Sequence, residues 1–240
     1  MTGKRQRPGE MAEQIQGVAA PTIDARGEGD LEITFGGERL LLTPERGVWW
    51  PARRSVFVAD LHLGKAATFR AASIPIPDAT GEDLASLDQL LARTGATELI
   101  ILGDLIHARR GRCETTFEAV TRWRSARPDL AVRLVRGNHD IKAGKPPVAW
   151  SMTTLPDDAE LGPFALRHHP DPIGRPALAG HLHPKVRLEL AGDRLDLPCY
   201  LLRKDVLVLP AFTRFSDSTR IRWEPDDQVY PIGGDVVFRA

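Results

Sequence analysis

Apolar positions along the chain fall into runs with two different periods. LEITFGGERLLLTP (31–44) has two strand-like runs on either side of Gly36-Gly37, which predicts a β-hairpin. SVFVAD (55–60), ELIILGD (98–104) and LAVRLVRGNHD (130–140) are short and mostly apolar through their length, as buried parallel strands are. Each ends abruptly in potential ligands. Between them, LASLDQLLART (84–94) places Leu84, Leu87, Leu90 and Leu91 at helical spacing and stops at Gly95. TTFEAVTRWRSAR (115–127) is also helical and is closed by Pro128. The first half therefore alternates strand and helix. The second half changes character: FALRHHP, PALAGHLHPKVRLEL, PCYLLRK and DVLVLPAFTRF are strand-like, with few helical stretches between them. This predicts a second, largely antiparallel sheet packed on the first. The fold class is α/β, two packed β-sheets flanked by helices in an αββα sandwich, as a single domain over residues 31–240. Residues 1–30 are rich in Gly, Gln, Pro and charge without a period and predict a mobile N-terminal arm.

Composition adjusts this picture only slightly. A hydrophobic fraction of 42% in 240 residues suffices for a real core, and 27% charged residues is ordinary for a globular protein. No apolar run approaches the ~20 residues that span a bilayer. The opening MTGKRQRPGE has no apolar stretch behind it and does not read as a signal peptide. Cys113 and Cys199 make no C-x-x-C pair and read as free thiols in a reducing cytoplasm.

The formal net charge of zero argues against a surface that binds polyanions everywhere, though not against a local patch. Residues 109–136 hold eight arginines (109, 110, 112, 122, 124, 127, 133, 136) and no lysine. They read either as a solvated helix face or, in part, as a rim that pairs with phosphate oxygens. Trp49, Trp50, Trp123, Trp150 and Trp223 read mainly as core or rim packing, with partner contact as the alternative.

The seven histidines sharpen the picture most. They stand at 62, 107, 139, 168, 169, 181 and 183, all at or just past the ends of apolar runs. Each has ligand-type company: Asp60-Leu-His62, Gly103-Asp104-Leu-Ile-His107, Gly137-Asn138-His139-Asp140, His168-His169-Pro170 and Gly180-His181-Leu-His183. In an extended chain residues i and i+2 point the same way, so Asp60 and His62 can face one centre, as can His181 and His183. Taken singly, a D-x-H fragment is more often a capped loop, and GNHD can be a turn. Five such fragments in one chain are a metal signature. Oxygen donors mixed with neutral imidazoles suit Mn²⁺, Fe²⁺, Co²⁺ or Zn²⁺, and the absence of Cys argues against a structural zinc site. About seven ligands suit two metals sharing a carboxylate rather than one tetrahedral ion.

In this order the motifs DLH, GDLIH, GNHD, H and GHLH resemble the calcineurin-like metallophosphoesterase superfamily, whose pattern is D-x-H, G-D, G-N-H-[DE], H, G-H-x-H. VADLHLGKAATFRAASIPIP, then HHP, then LAGHLHPKV are similar to the bacterial ligase-associated DNA damage response endonuclease family. The resemblance implies two divalent ions, Mn²⁺ foremost. Asp60, His62, Asp104 and His183 would hold the first. Asp104 would bridge to the second, held by Asn138, His168 and His181. A metal-bridging hydroxide would attack phosphorus. His139 would protonate or stabilise the leaving oxygen, with Asp140 to orient it. His107, Arg109, Arg110 and His169 are candidates for substrate contact, His107 alternatively as a support for the ligands. In the His168-His169 pair, strand alternation predicts that the two rings do not both ligate one metal, and the resemblance places the ligand at His168. The resemblance further implies DNA as substrate, an ATP-dependent DNA ligase and a helicase as partners, and no membrane attachment. Two other readings stand beside it. One is a phosphomonoesterase or nucleotide pyrophosphatase acting on small molecules. The other is a catalytically silent metal-binding subunit of a repair complex.

Overall fold

The computed structural model describes residues 27–71, 73, 79–190, 193–215, 219–222 and 224–240. The expected arm lies outside the described residues up to position 26. The last residue of that span, Asp30, is buried and ion-paired to Arg93 at 2.7 Å.

Strands β1 (Leu31–Phe35) and β2 (Glu38–Leu42) form the hairpin around Gly36-Gly37 and lead into β3 (Val48–Trp50). After β4 (Ser55–Val58) come helices α1 (Lys65–Ala71) and α2 (Thr80–Thr94), then β5 (Glu98–Leu102), α3 (Glu114–Ser125) and β6 (Ala131–Val135). A short helix α4 (Asn138–Ala143) precedes β7 (Met152–Leu155). These seven strands make one sheet in sequence order, antiparallel from β1 to β4 and parallel from β4 to β7.

The remaining strands form the second sheet. They are β8 (Ala159–Leu161), β9 (Phe164–Leu166), β10 (Ala177–Ala179), β11 (Pro184–Leu190), β12 (Asp193–Arg203), β13 (Val206–Val208), β14 (Thr219–Arg220), β15 (Gln228–Gly233) and β16 (Val236–Val237). This sheet is mixed rather than largely antiparallel, because β10 runs parallel to both of its neighbours, β9 and β13. The strand-like run PALAGHLHPKVRLEL forms two strands, β10 and β11, separated at the GHLH turn.

The continuous apolar strands are explained by burial on both faces. Val56, Val58, Leu99 and Ile101 face α2 and α3, where they pack with Leu84, Leu87, Leu90, Val120 and Trp123. Phe57, Ile100 and Leu102 point the other way and meet Phe164, Leu178, Tyr200 and Leu207 of the second sheet. A third cluster (Ala165, Ala177, Ala179, Leu201, Val206, Val208) lies on the second sheet and contains no helical residue. Among the described residues the helices thus cover one sheet. The other is closed by Val186 with Leu182, Leu188, Leu197 and Ile221. Trp49, Trp50, Trp123 and Trp150 are all buried, so they are core rather than partner contacts. Trp223 lies outside the described residues. Both Cys113 and Cys199 are free thiols. No helix among the described residues is long and apolar enough to cross a membrane.

Candidate metal centre

Candidate ligands gather where β4, β5, β6 and β10 end. Beyond β4 and β5 the chain continues as two adjacent loops. The amides of Asp60, His62 and Leu63 donate to the carbonyls of Gly103, Asp104 and Leu105 at 3.1, 2.8 and 2.8 Å. That ladder brings Asp60 and Asp104 side by side, both buried. Gly103 has φ +87°, and a Cβ there would stand 2.0 Å from His168 Nδ1, so only glycine leaves room for that ring.

The local conformation differs from the extended spacing read in the sequence. Asp60, His62, Asp104, His181 and His183 all have positive φ, from 46° to 73°. D-x-H and H-x-H reach one centre through left-handed residues at both ends of each motif, not through strand alternation. A left-handed non-glycine residue costs about 1–3 kcal/mol and persists where its surroundings over-determine it. GNHD likewise is not extended. Asn138 opens helix α4, so His139 follows it around a helical turn.

Four groups of side chains bring ligand atoms within 4.8 Å of one another: Asp60, His62 and His183; Asp60, Asp104 and His168; His168, His169 and His181; His62, His107 and His139. Around the first, His62 Nε2 faces His183 Nε2 at 3.2 Å, and His183 Nε2 lies 3.4 Å from Asp60 Oδ1. Around the third, His168 Nδ1 donates to the Leu102 carbonyl at 3.1 Å, which in a neutral ring leaves Nε2 as an acceptor. That nitrogen faces Asn138 Oδ1 at 3.0 Å, His181 Nδ1 at 3.2 Å and Asp104 Oδ2 at 3.5 Å.

Electrostatics favours neutral imidazoles. Burial, then His183 and the other neighbouring rings, push His62 down to about 2. Burial and His168 push His181 down to about 4. Burial raises the Asp104 carboxyl, against the pull of His168. Asp60 Oδ1 is buried without a hydrogen bond. With His168 Nδ1 committed to Leu102, its Nε2 and Asn138 Oδ1 are two acceptors 3.0 Å apart, and Asp60 Oδ1 has no donor, so a bound cation is the partner these atoms favour. The seven residues Asp60, His62, Asp104, Asn138, His168, His181 and His183 fit a divalent metal by donor chemistry.

The remaining candidates separate. His139 donates its amide to Asp104 Oδ1 at 2.9 Å, and its ring Nδ1 donates to the His107 carbonyl, leaving Nε2 on the site side, 3.9 Å from Asp104 Oδ2. Asp140 does not orient that ring. Its oxygens accept from the amides of Ile106 and Gly137 at 3.1 and 3.0 Å, holding α4 against the loop after β5. His169, expected to point away from His168, has its ring centroid 4.2 Å from that of His181, because the pair lies past the end of β9 where strand alternation no longer applies. His107 Nδ1 faces His62 Nδ1 at 3.3 Å.

Most of the arginine-rich stretch is structural. Arg124 is buried and donates to the carbonyls of Trp150, Arg127 and Leu130; Arg127 and Arg133 pair with Asp88 and Glu98; Arg136 holds the Asp140 carbonyl. Arg109 and Arg110 stand exposed in a 3-10 turn just past His107.

The sequence reading passed over the loop Ala211–Phe215. It is pinned to β4 through the Ala59–Ala211 bridge and the Phe212 amide, which donates to the Ala59 carbonyl at 2.8 Å, immediately before Asp60. Its only sequence signal is a cation next to an aromatic, Arg214-Phe215.

No family model matches the chain, and no curated protein does. Among solved structures it is similar to the nuclease MPE of Pseudomonas putida, at 39% identity over 88% of this chain and 100% of that one, with a TM-score of 0.78. It also matches YfcE, a phosphoesterase from E. coli, at 18% identity over 76% of this chain and 90% of that one, with a TM-score of 0.36.

Proposed function

The chain belongs to the calcineurin-like metallophosphoesterase superfamily and is a metal-dependent phosphoesterase, and from that premise we propose that it is a DNA phosphodiesterase, an endonuclease of the ligase-associated DNA damage response type. The observation that carries the proposal is the clustering of Asp60, His62, Asp104, His168, His181 and His183, with Asn138 Oδ1 3.0 Å from His168 Nε2 and Asp60 Oδ1 buried and unbonded. A silent accessory subunit would be expected to have lost some of them. The similarity to a nuclease favours DNA over a small phosphate monoester.

In this reading Asp60, His62, Asp104 and His183 would hold one divalent ion, and Asn138, His168 and His181, with Asp104, would hold a second. When bound, such ions supply Lewis acidity that activates water and draws charge from the phosphoryl oxygens. Mn²⁺ suits the O/N donor mix, as do Zn²⁺, Fe²⁺ and Co²⁺. The chain's own residues do the rest. The His107 carbonyl takes the His139 Nδ1–H, so Nε2 is the ring atom left to face the phosphate; as the imidazolium, His139 would give the Nε2 proton to the leaving oxygen and be left as the neutral ring. Asp104 accepts the His139 amide, so a bridging ligand and the acid–base group move as one unit. Arg109 and Arg110 stand ready for phosphate oxygens beside His107.

The test compares a bis-aryl phosphate, a mono-aryl phosphate and plasmid DNA across Mn²⁺, Co²⁺, Ni²⁺, Zn²⁺ and Mg²⁺. Diester turnover with plasmid nicking, lost in Asp104→Ala and His181→Ala, is the expected result. Strong monoester turnover with intact plasmid would assign the chain to small-molecule phosphates instead.

A further inference from the structure

A cavity of about 400 Å³ lies between α2, the β2–β3 turn and the β15–β16 turn, and none of the candidate metal ligands lines it. Leu197, Phe212 and Ile232 make its apolar wall, and Arg46, Arg214 and Gln89 its polar one. The two arginines lack a counter-charge. Arg46 spends Nη1 on the carbonyls of Ala211 and Thr213, at 3.2 and 2.9 Å. Among the described residues neither Arg46 nor Arg214 has an ion pair. Burial and the Arg214 charge hold Arg46 below its ordinary value, against a weaker pull from Asp83. Glu45 also lines the cavity, but its carboxylate is taken by Arg93 at 2.8 Å.

The chain enters the described fold at this same place. Arg93, which holds Glu45, also donates to both oxygens of Asp30, at 2.7 and 2.9 Å. The Gly29 carbonyl accepts from the Val237 amide at 2.8 Å. A Cβ on Gly29 would stand 1.8 Å from the Asp235 carbonyl oxygen, so the backbone passes directly over the β15–β16 turn. Glu45 and Asp235 are both on the cavity wall, so the segment before Gly27 leaves from its rim. That segment ends in VAAPTIDAR (18–26), where apolar Ile23 is followed by acidic Asp24. From Asp24 to Gly27 an extended chain spans about 10 Å.

We infer that residues 18–26, the inner part of the expected arm, fold back into this cavity, with Ile23 against Leu197, Phe212 and Ile232 and the Asp24 carboxylate on Arg46 and Arg214. Complementarity and reach choose this occupant. The wall sets an apolar surface beside two cations, and the chain sets an apolar side chain beside an acid at the rim. A carboxylate between two guanidiniums offsets their repulsion, and burial of isoleucine adds the apolar contact. Nothing in this contact depends on phosphoester chemistry. It does bear on access to the metal centre. Arg46, Pro198 and Arg214 also line a second cavity, of about 240 Å³, that opens at His183, so the seated segment walls off the far end of that approach.

The test is a double-mutant cycle read by urea unfolding of the full-length protein at low salt. Asp24→Lys should lower the folding equilibrium constant about two- to fivefold in the wild-type background. In Arg214→Glu, where the new lysine meets a carboxylate, the same change should cost nothing or raise it. Ile23→Asp should lower it about tenfold or more. An Asp24→Lys cost that is zero, or the same in both backgrounds, overturns the contact. So does a wild-type stability that rises with protein concentration, which would seat the segment on a second copy. Zero coupling together with stabilisation by inorganic phosphate that Arg214→Glu abolishes also overturns it, and gives the cavity to a small anion.

Discussion

The backbone amide of His181 donates to Asp60 Oδ2 at 2.8 Å, while the other oxygen of that carboxylate is buried with no hydrogen bond at all. One oxygen ties the two sheets together and the other is left for a cation. Asp60→Asn separates the two roles, since the amide oxygen can still accept from His181 while the nitrogen removes a ligand. The metal-free variant should melt within a few degrees of the wild type. Its stabilisation by added Mn²⁺ should be largely lost, because a ligand stabilises only in proportion to its affinity for the folded state. Thermal melts with and without Mn²⁺, paired with elemental analysis, check this. An undiminished Mn²⁺ shift would remove Asp60 from the ligand set.

The two adjacent histidines differ in depth and in bonding. His168 is 1% exposed, with Nδ1 bonded to Leu102 and Nε2 aimed at Asn138 and His181. His169 is more open and touches the cluster through ring contacts with His168 and His181. On the proposed two-metal reading, His168→Ala should drop bound metal by about one equivalent of two and reduce diester turnover by a factor on the order of 100 or more. His169→Ala should keep its metal and lose activity by about tenfold or less. Metal content by mass spectrometry separates the two, and equal metal loss would make His169 a ligand.

Much of this was legible in the chain itself. The hairpin, the strands ending at Val58, Leu102 and Val135, and the ligand-bearing loops after them follow from apolar runs that stop at polar residues. What the pattern hid has physical causes. Helix α4 spans six residues, NHDIKA, too few to show a period. The left-handed turns at Asp60, His62, His181 and His183 are imposed by tertiary hydrogen bonds such as Asp60 to Gly103, which no local spacing reveals. The loop Ala211–Phe215 continues a strand-like run in sequence. Its pairing with Ala59, through Ala211 and the Phe212 amide, carries it to the candidate metal centre.

Asp140 is a motif position with a mechanical task. It is 2% exposed, and its two oxygens accept from Ile106 and Gly137. Replacing it with Ala orphans two buried amides, each costing about 1–3 kcal/mol. Asp140→Ala should therefore lower the urea midpoint markedly and displace Asn138, with turnover falling as well. Asp140→Asn, which keeps one acceptor, should fall between Ala and wild type in stability. If Asp140→Ala lost turnover at unchanged stability, Asp140 would belong with the reacting groups instead.

The loop Ala211–Phe215 carries its own pH dependence through Asp83 on α2. Burial pushes the Asp83 carboxyl up to about 6, against hydrogen bonds from the Thr213 hydroxyl and the Arg214 backbone and the nearby Arg46 guanidinium. A carboxyl whose folded value lies above its unfolded one holds its proton better when folded. Its contribution to stability is complete below about pH 4 and is lost as pH rises through about 6. The loss is on the order of 2–3 kcal/mol. Burial also raises Asp30, Asp104 and Asp140, which slope the same way, so the wild-type curve alone does not isolate Asp83. Asp83→Asn, neutral at every pH, should flatten the decline between pH 4 and 7 and leave the variant at least as stable as wild type at neutral pH. Urea unfolding across that range is the measurement. An unchanged slope would mean that Arg46 and Thr213 hold Asp83 ionised, and that the loop Ala211–Phe215 is anchored by charge pairing rather than in spite of a buried carboxylate.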